Sequence, residues 1–152
     1  MIDRGQYLNK LIKKQRNGLV KVITGIRRCG KSYLLFNIFY NYLLSVGIEK
    51  DHIICLALDE TENIKYRSPL FLDEYLKGKI KDDRQYYVFL DEIQKVKPVK
   101  NQYLDDGDMI TFVDILLGLL RRNNVDIYVT GSNSKMLSKD ILTEFRGRSY
   151  EI

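Results

Sequence analysis

The run Gly25-Ile26-Arg27-Arg28-Cys29-Gly30-Lys31-Ser32 satisfies the pattern G-x-x-x-x-G-K-[ST] at every constrained position. No other stretch restricts the fold as strongly, because this pattern functions only between a strand and a helix. Both neighbours are legible. Leu19 to Thr24 is short and rich in β-branched residues, as a strand is. Lys31 to Val46 carries Leu34, Leu35, Ile38, Phe39, Tyr42, Leu43 and Val46 at a helical spacing and is followed by Gly47 as a stop. In that setting each residue has a physical task. The glycines allow the backbone N–H groups of residues 25–30, with Ile26, Arg27, Arg28 and Cys29 between them, to turn inward around phosphate oxygens. Lys31 brings a point charge to the β- and γ-phosphates, and Ser32 offers a hydroxyl to Mg²⁺. The helix that opens here, with Tyr33 next in line, points its positive end at the same anion. The expected ligand is a nucleoside triphosphate, with Mg·ATP as the leading reading.

The rest of the chain alternates strand and helix. Residues 3–16 read as a helix with Tyr7, Leu8, Leu11 and Ile12 on one stripe, closed by Asn17-Gly18. His52–Leu58 and Gln85–Leu90 are continuous apolar runs of strand length, as strands covered on both faces are. Pro69 opens a helix over 69–79 with Leu72, Tyr75 and Leu76 inward. Thr111–Arg122 is a helix with an apolar face of Phe112, Ile115, Leu116, Leu119 and Leu120, Val125–Thr130 a strand, Ser134–Phe145 a helix, and Arg148–Ile152 holds a fifth strand. Such alternation calls for an α/β fold, a parallel sheet between helical layers, whose ligands bind beyond the strands' carboxyl ends. Only Lys95–Ile110, with Pro98, Gly107 and the acids Asp105, Asp106 and Asp108, shows no periodicity; long loops of this kind are often functional or mobile.

Two further strand ends carry polar residues. The strand Tyr86–Leu90 runs into Asp91-Glu92. An aspartate there holds Mg²⁺ in phosphate-loop enzymes, and an adjacent glutamate can polarise an attacking water. Val125–Thr130 leads into Gly131-Ser132-Asn133-Ser134; Ser132 and Asn133 are both candidates to sense the γ-phosphate, while Ser132 or Ser134 also suits a helix N-cap. Arg146 and Arg148 follow, and they read either as solvated surface charges or as the source of an arginine donated across an interface to stabilise transition-state charge.

The strings 22–32, Phe89-Leu90-Asp91-Glu92-Ile93-Gln94, Tyr128-Val129-Thr130-Gly131-Ser132 and Phe145-Arg146-Gly147-Arg148, in this order, resemble the prokaryotic AAA+-like ATPases whose ATPase domain precedes a C-terminal domain of unknown function. The resemblance covers almost the whole chain. It implies a three-layer P-loop NTPase core over residues 1–152 with a mostly parallel five-stranded sheet, in which the acidic strand is not directly beside the phosphate-loop strand. It implies Lys31 and Glu92 as catalytic residues, Ser132 or Asn133 near the sensing position, and Ser32 and Asp91 as metal ligands; Arg148 stands beside them as the arginine candidate read from the chain itself. Family members are well over twice this length, so the resemblance also implies that a helical lid and a further domain belong after Ile152.

Composition adds limits. At 152 residues the chain can bury a core without disulfides or structural metal, and its 45% hydrophobic content is ordinary for a globular protein. No apolar run reaches bilayer length and no secretory signal is evident, so a cytoplasmic setting is expected. The two cysteines form no C-x-x-C pair. Cys29 lies in the phosphate loop near Lys31 and a helix N-terminus, a setting that can lower a thiol pKa; it reads either as an inert filler at a permissive position or as a thiol whose oxidation blocks nucleotide binding. His52 reads as a structural residue with no acidic or cysteine partner at ligand spacing. The net charge of +5 is compatible with a polyanion, and the basic residues concentrate at Arg4, Lys10, Lys13, Lys14, Arg16, Lys21, Arg27 and Arg28. The leading function is an ATPase module coupling hydrolysis to conformational change in a further domain or partner, with self-association an open possibility. The alternatives are a nucleic-acid-associated ATPase and a nucleotide-dependent switch with little turnover. A GTPase is disfavoured because no Asn-Lys-x-Asp motif is present, and a small-molecule kinase because Asp91-Glu92 suits water activation better.

Overall fold

A computed structural model describes residues 4–23, 29–131 and 149–151. Its centre is a five-stranded sheet of β1 (Val20–Ile23), β2 (Ile53–Ala57), β3 (Tyr86–Asp91), β6 (Val125–Thr130) and β7 (Ser149–Glu151), in the spatial order β2-β3-β6-β1-β7. Every pairing in it is parallel. The acidic strand β3 is therefore separated from the phosphate-loop strand β1 by β6, as the resemblance implied. The helices are α1 (Arg4–Lys13), α2 (Cys29–Tyr33), α3 (Tyr40–Ser45), α4 (Pro69–Lys79) and α5 (Phe112–Leu120). Helix α2 passes through a π-helical stretch, Leu34–Phe39, into α3, so residues 29–45 form one continuous helical rod.

Alternation along the central strands sorts the core into two layers. Val88 and Leu90 of β3 face α4 and α5, where they pack with Val22, Ile127, Leu72, Leu76, Leu116 and Leu119. Tyr87 and Phe89 face the other way, against α1 and the rod, with Leu11, Leu35, Phe39, Leu43 and Tyr128. Phe39 is the hub of that second layer: its ring stacks on Phe89 at 5.6 Å and meets Tyr128 edge-on at 4.9 Å. The helix over 69–79 and the strand over 125–130 fall where the pattern predicts them. Thr111 is the N-cap of α5 rather than its first residue. Its hydroxyl accepts from the Asp114 backbone, and the Asp114 carboxylate accepts from the Thr111 backbone, closing a capping box.

Four expectations need correction. Helix α1 stops at Lys13, before Asn17-Gly18. The Arg16 N–H is taken by the Asp126 carboxylate of β6 at 2.9 Å, and Arg16 adopts a left-handed φ of 54° to reach it. Val46, placed on the apolar face, is 55% exposed because the rod ends at Ser45. The 95–110 stretch is not without structure: it contains a small antiparallel hairpin, β4 (Val99–Lys100) with β5 (Met109–Ile110). Lys21, counted with the basic cluster, is fully buried in β1 and ion-paired with Asp126. The expected helix over 134–145 lies outside the described residues.

Candidate functional site

Three strand ends converge where the phosphate-loop helix begins. Ile23 of β1 is level with Thr130 of β6, and Val129 is level with Leu90 of β3. Strand β6 thus carries Thr130 and Gly131 between the end of β1 and the acids that end β3. The register explains how residues about 60 and 100 positions apart come into contact.

Ser32 Oγ donates to Asp91 Oδ2 at 2.7 Å. The Thr130 hydroxyl donates to the other oxygen, Asp91 Oδ1, and accepts the Glu92 backbone N–H at 3.1 Å. Lys31 Nζ donates to the Gly131 carbonyl. Lys31, Asp91 and Thr130 are all buried. Burial raises the Asp91 carboxyl above the ordinary carboxylate range; the hydrogen bonds from Thr130 and Ser32 oppose that rise, and the nearby Glu92 and Asp59 charges add to it. Glu92 follows in a left-handed conformation, φ 60° and ψ 53°, which side-chain-bearing residues adopt rarely. Its carboxylate accepts from Gln94 Nε2 at 2.7 Å. Non-glycine strain of this kind gathers at functional sites and persists where surrounding contacts enforce it. Here the Thr130 and Gln94 contacts supply the enforcement.

The structure therefore brings Lys31, Ser32, Asp91 and Glu92 together. Gly25, Ile26, Arg27 and Arg28 lie outside the described residues, as do Ser132, Asn133, Arg146 and Arg148, and of Cys29 only the backbone is described. Gly30 and Tyr33 occupy the first turns of α2. Three residues of the cluster, Thr130, Gly131 and Gln94, stand in the strings that carry the resemblance but take no assigned role from the sequence. A hydroxyl at the last position of an otherwise apolar strand was the available signal for Thr130.

His52 is buried, with its ring 4.4 Å from that of Tyr86, in keeping with a structural role. The expectation that no acid stands near it is corrected: Nδ1 lies 3.1 Å from Asp51 Oδ1 and 3.7 Å from Glu49 Oε2, because a short helical turn over Lys50–His52 folds both acids back onto the ring. Asp51 and Glu49 are exposed, and Arg84 approaches Glu49 at 3.9 Å. Among the described residues no helix is long and apolar enough to cross a membrane.

A family model described as an AAA domain matches residues 17–152. The chain belongs to the AAA domain family. It is 31% identical to an uncharacterized protein of Haemophilus influenzae over all of this chain and 35% of that protein. It is 34% identical to an uncharacterized protein of Methanocaldococcus jannaschii over 86% of this chain and 25% of that protein. The chain thus spans about a third of one relative and a quarter of the other. Among solved structures it is similar in fold to Drosophila ORC bound to DNA, with a TM-score of 0.58 and 12% identity, covering 98% of this chain and 87% of the other. A second structure, Drosophila ORC bound to AT-rich DNA and Cdc6, aligns with a TM-score of 0.56 and 12% identity over 98% of this chain and 53% of the other. Family and fold make the AAA domain chain an ATPase-type nucleotide-binding module with a parallel sheet between two helical layers.

Proposed function

We propose that this AAA domain binds Mg·ATP and hydrolyses it, and that hydrolysis drives a conformational change in the remainder of a longer protein or in a partner. One observation carries the reading: Ser32 and Asp91 share a 2.7 Å hydrogen bond, while Thr130 ties Asp91 to the backbone of Glu92. A half-buried hydroxyl and a buried carboxylate at this spacing form a hard oxygen donor pair, the kind that Mg²⁺ takes. Ser32 and Asp91 would hold the ion, which when bound supplies charge neutralisation on the phosphates. The residues of the chain do the rest. Backbone N–H groups of residues 25–30 and Lys31 hold the β- and γ-phosphates, with Lys31 exchanging the Gly131 carbonyl for phosphate oxygen. Glu92 orients the attacking water and takes its proton as the bond between the γ-phosphorus and the bridging oxygen breaks. Ser132 or Asn133 would sense the γ-phosphate and Arg148 would act from a neighbouring subunit.

The test is equilibrium binding of ATP by calorimetry, with and without Mg²⁺, beside phosphate release for the wild type and Lys31→Ala. Lys31→Ala should weaken binding by at least about tenfold, the loss of one charge-assisted contact to phosphate. Binding that is unaffected by Lys31→Ala, or no binding to any triphosphate, defeats the proposal. Binding without phosphate release would instead favour a nucleotide-dependent switch.

A further inference from the structure

Two surfaces away from the nucleotide site carry opposite charge. The first is a cavity of about 350 Å³ around the amino-terminal half of β2. Strand β2 is the edge of the sheet, and among the described residues no strand pairs with its outer side. The cavity wraps that edge, with Tyr40 of the rod on one side and Tyr75 and Lys79 of α4 on the other. Lys50, Lys79 and Lys81 line it against one acid, Asp51. None of the three lysines is ion-paired among the described residues. Lys79 Nζ lies 5.5 Å from the centre of the Tyr75 ring, so the cavity is both cationic and aromatic.

The second surface is the tip of the β4–β5 hairpin. Residues 101–110 contain Asp105, Asp106 and Asp108 and no basic residue. Tyr103 is 85% exposed, and Leu104 and Met109 are about half exposed. The tip is the loop over 102–107, closed at its base where the Asn101 backbone N–H bonds the Asp108 carbonyl at 2.9 Å and the Asn101 amide donates to the Asp108 carboxylate at 3.0 Å. A loop tied at its base that holds an aromatic ring and carboxylates in water loses less conformational freedom on docking than an untied one. Exposed tyrosines in such positions are common binding anchors.

We propose that the hairpin tip of one copy of this chain docks into the β2-edge cavity of a second copy, Tyr103 entering between Tyr40 and Tyr75 and the aspartates meeting Lys50, Lys79 and Lys81. The occupant is a second copy because the tip cannot serve its own cavity. The hairpin leaves the carboxyl end of β3, whereas the cavity lies at the amino ends of β2 and β3, the opposite rim of the sheet. An approach of two β2 edges to one another is disfavoured by six lysines of like sign, two sets of the three named. Tip into cavity is the pairing in which charge is complementary. The contact joins two different patches, so it is heterologous and can recur from copy to copy. It does not use the nucleotide site and stands or falls independently of the proposed hydrolysis.

Sedimentation velocity across a wide concentration range, without nucleotide, tests this on the intact chain. The wild type should associate, less at high salt, because exposed charges are screened. Lys50→Glu/Lys79→Glu/Lys81→Glu and, separately, Asp105→Lys/Asp106→Lys/Asp108→Lys should each weaken association by roughly tenfold or more. Mixing the two reversed variants should restore it. A photo-crosslinker at position 103, in a mixture of isotopically labelled and unlabelled chains, should capture residues around Tyr75 and Lys79 in hybrid pairs. This second measurement keeps the proposal testable if a triple variant fails to fold. A chain that remains monomeric at every concentration overturns the proposal. So does association that ignores both reversals, a mixture that is not rescued, or crosslinks formed elsewhere.

Discussion

The Thr130 hydroxyl ties two neighbouring acids together: it donates to Asp91 Oδ1 and accepts the backbone N–H of Glu92 at 3.1 Å. One side chain on β6 therefore sets the direction of the Asp91 carboxylate and the turn that starts at Glu92. Thr130→Val keeps the shape and removes both bonds. A buried donor and acceptor left without a partner cost about 1–3 kcal/mol. Urea denaturation should show a loss of that size, with Thr130→Ser recovering most of it. On the proposed hydrolysis, the valine variant should lower turnover more than nucleotide affinity. An unchanged stability in Thr130→Val would mean that the bonds are not formed in solution.

Glu92 combines a chemical role with backbone strain, and the two can be separated. Glu92→Gln keeps the size and the left-handed turn but loses the base, so turnover should fall by about 10²–10⁴ while ATP affinity is kept. Glu92→Gly abolishes the same chemistry but relieves a conformation that costs an L-residue about 1–2 kcal/mol. The glycine variant should be as stable as the wild type or more so, an unusual result for a residue beside the buried Asp91. Differential scanning calorimetry decides it, and a marked drop in midpoint would show that the Gln94–Glu92 contact outweighs the strain.

At the opposite end of the strands the charges serve structure. Lys21 Nζ is bonded to Asp126 Oδ1 and to Asn17 Oδ1, the latter at 3.1 Å, and lies 4.9 Å from the Tyr128 ring centre. Burial pulls the Lys21 ammonium below the ordinary lysine range even though the Asp126 charge and hydrogen bond oppose it. Asp126→Ala leaves that cation uncompensated and also removes the acceptor for the Arg16 N–H and the Tyr128 hydroxyl. Breaking a buried pair from one side costs about 3–5 kcal/mol. The double variant Lys21→Met/Asp126→Leu should recover part of that loss. Nucleotide affinity of the folded fraction should be unchanged in both. A double variant less stable than Asp126→Ala would contradict this account.

Much of this was legible because local signals agreed with the fold. Continuous apolar strands and a capped, periodic α5 state their own boundaries within a residue or two. The candidate cluster was half legible. Lys31, Ser32, Asp91 and Glu92 stand in motifs, whereas Thr130 and Gly131 matter through register: only when β6 lies between β1 and β3 do they meet Asp91 and Lys31. The early end of α1 was hidden for the same reason, since the group that draws off the Arg16 N–H is 110 positions away. Strands of two residues, as in the 99–110 hairpin, are too short to show periodicity at all. Lys21 misled because a lysine's charge is visible in sequence and its partner is not.

Cys55 offers a pH-dependent test of the second core layer. Burial pushes its thiol from the ordinary 9.0 up to about 12. At pH 8 the reactive thiolate is therefore about a thousandfold scarcer in the folded chain than in the unfolded one, by the difference between those two values. In a Cys29→Ser background, alkylation at that pH should be slow and should accelerate along the urea unfolding curve. The same shift sets a stability slope. Between about 9 and about 12 the folded thiol keeps a proton that the unfolded thiol loses. The stability that this group contributes is thus present below that window and falls as pH rises through it. Tyr75, Tyr87 and Tyr128, whose hydroxyls are also raised mainly by burial, add to the same alkaline loss. The Cys55 share is therefore read as a difference between wild type and Cys55→Ala, whose stability should fall less steeply above pH 9.0. Parallel curves, or a native thiol alkylated as fast as the unfolded one, would show that the cavity along β2, which Cys55 lines, admits solvent to the thiol.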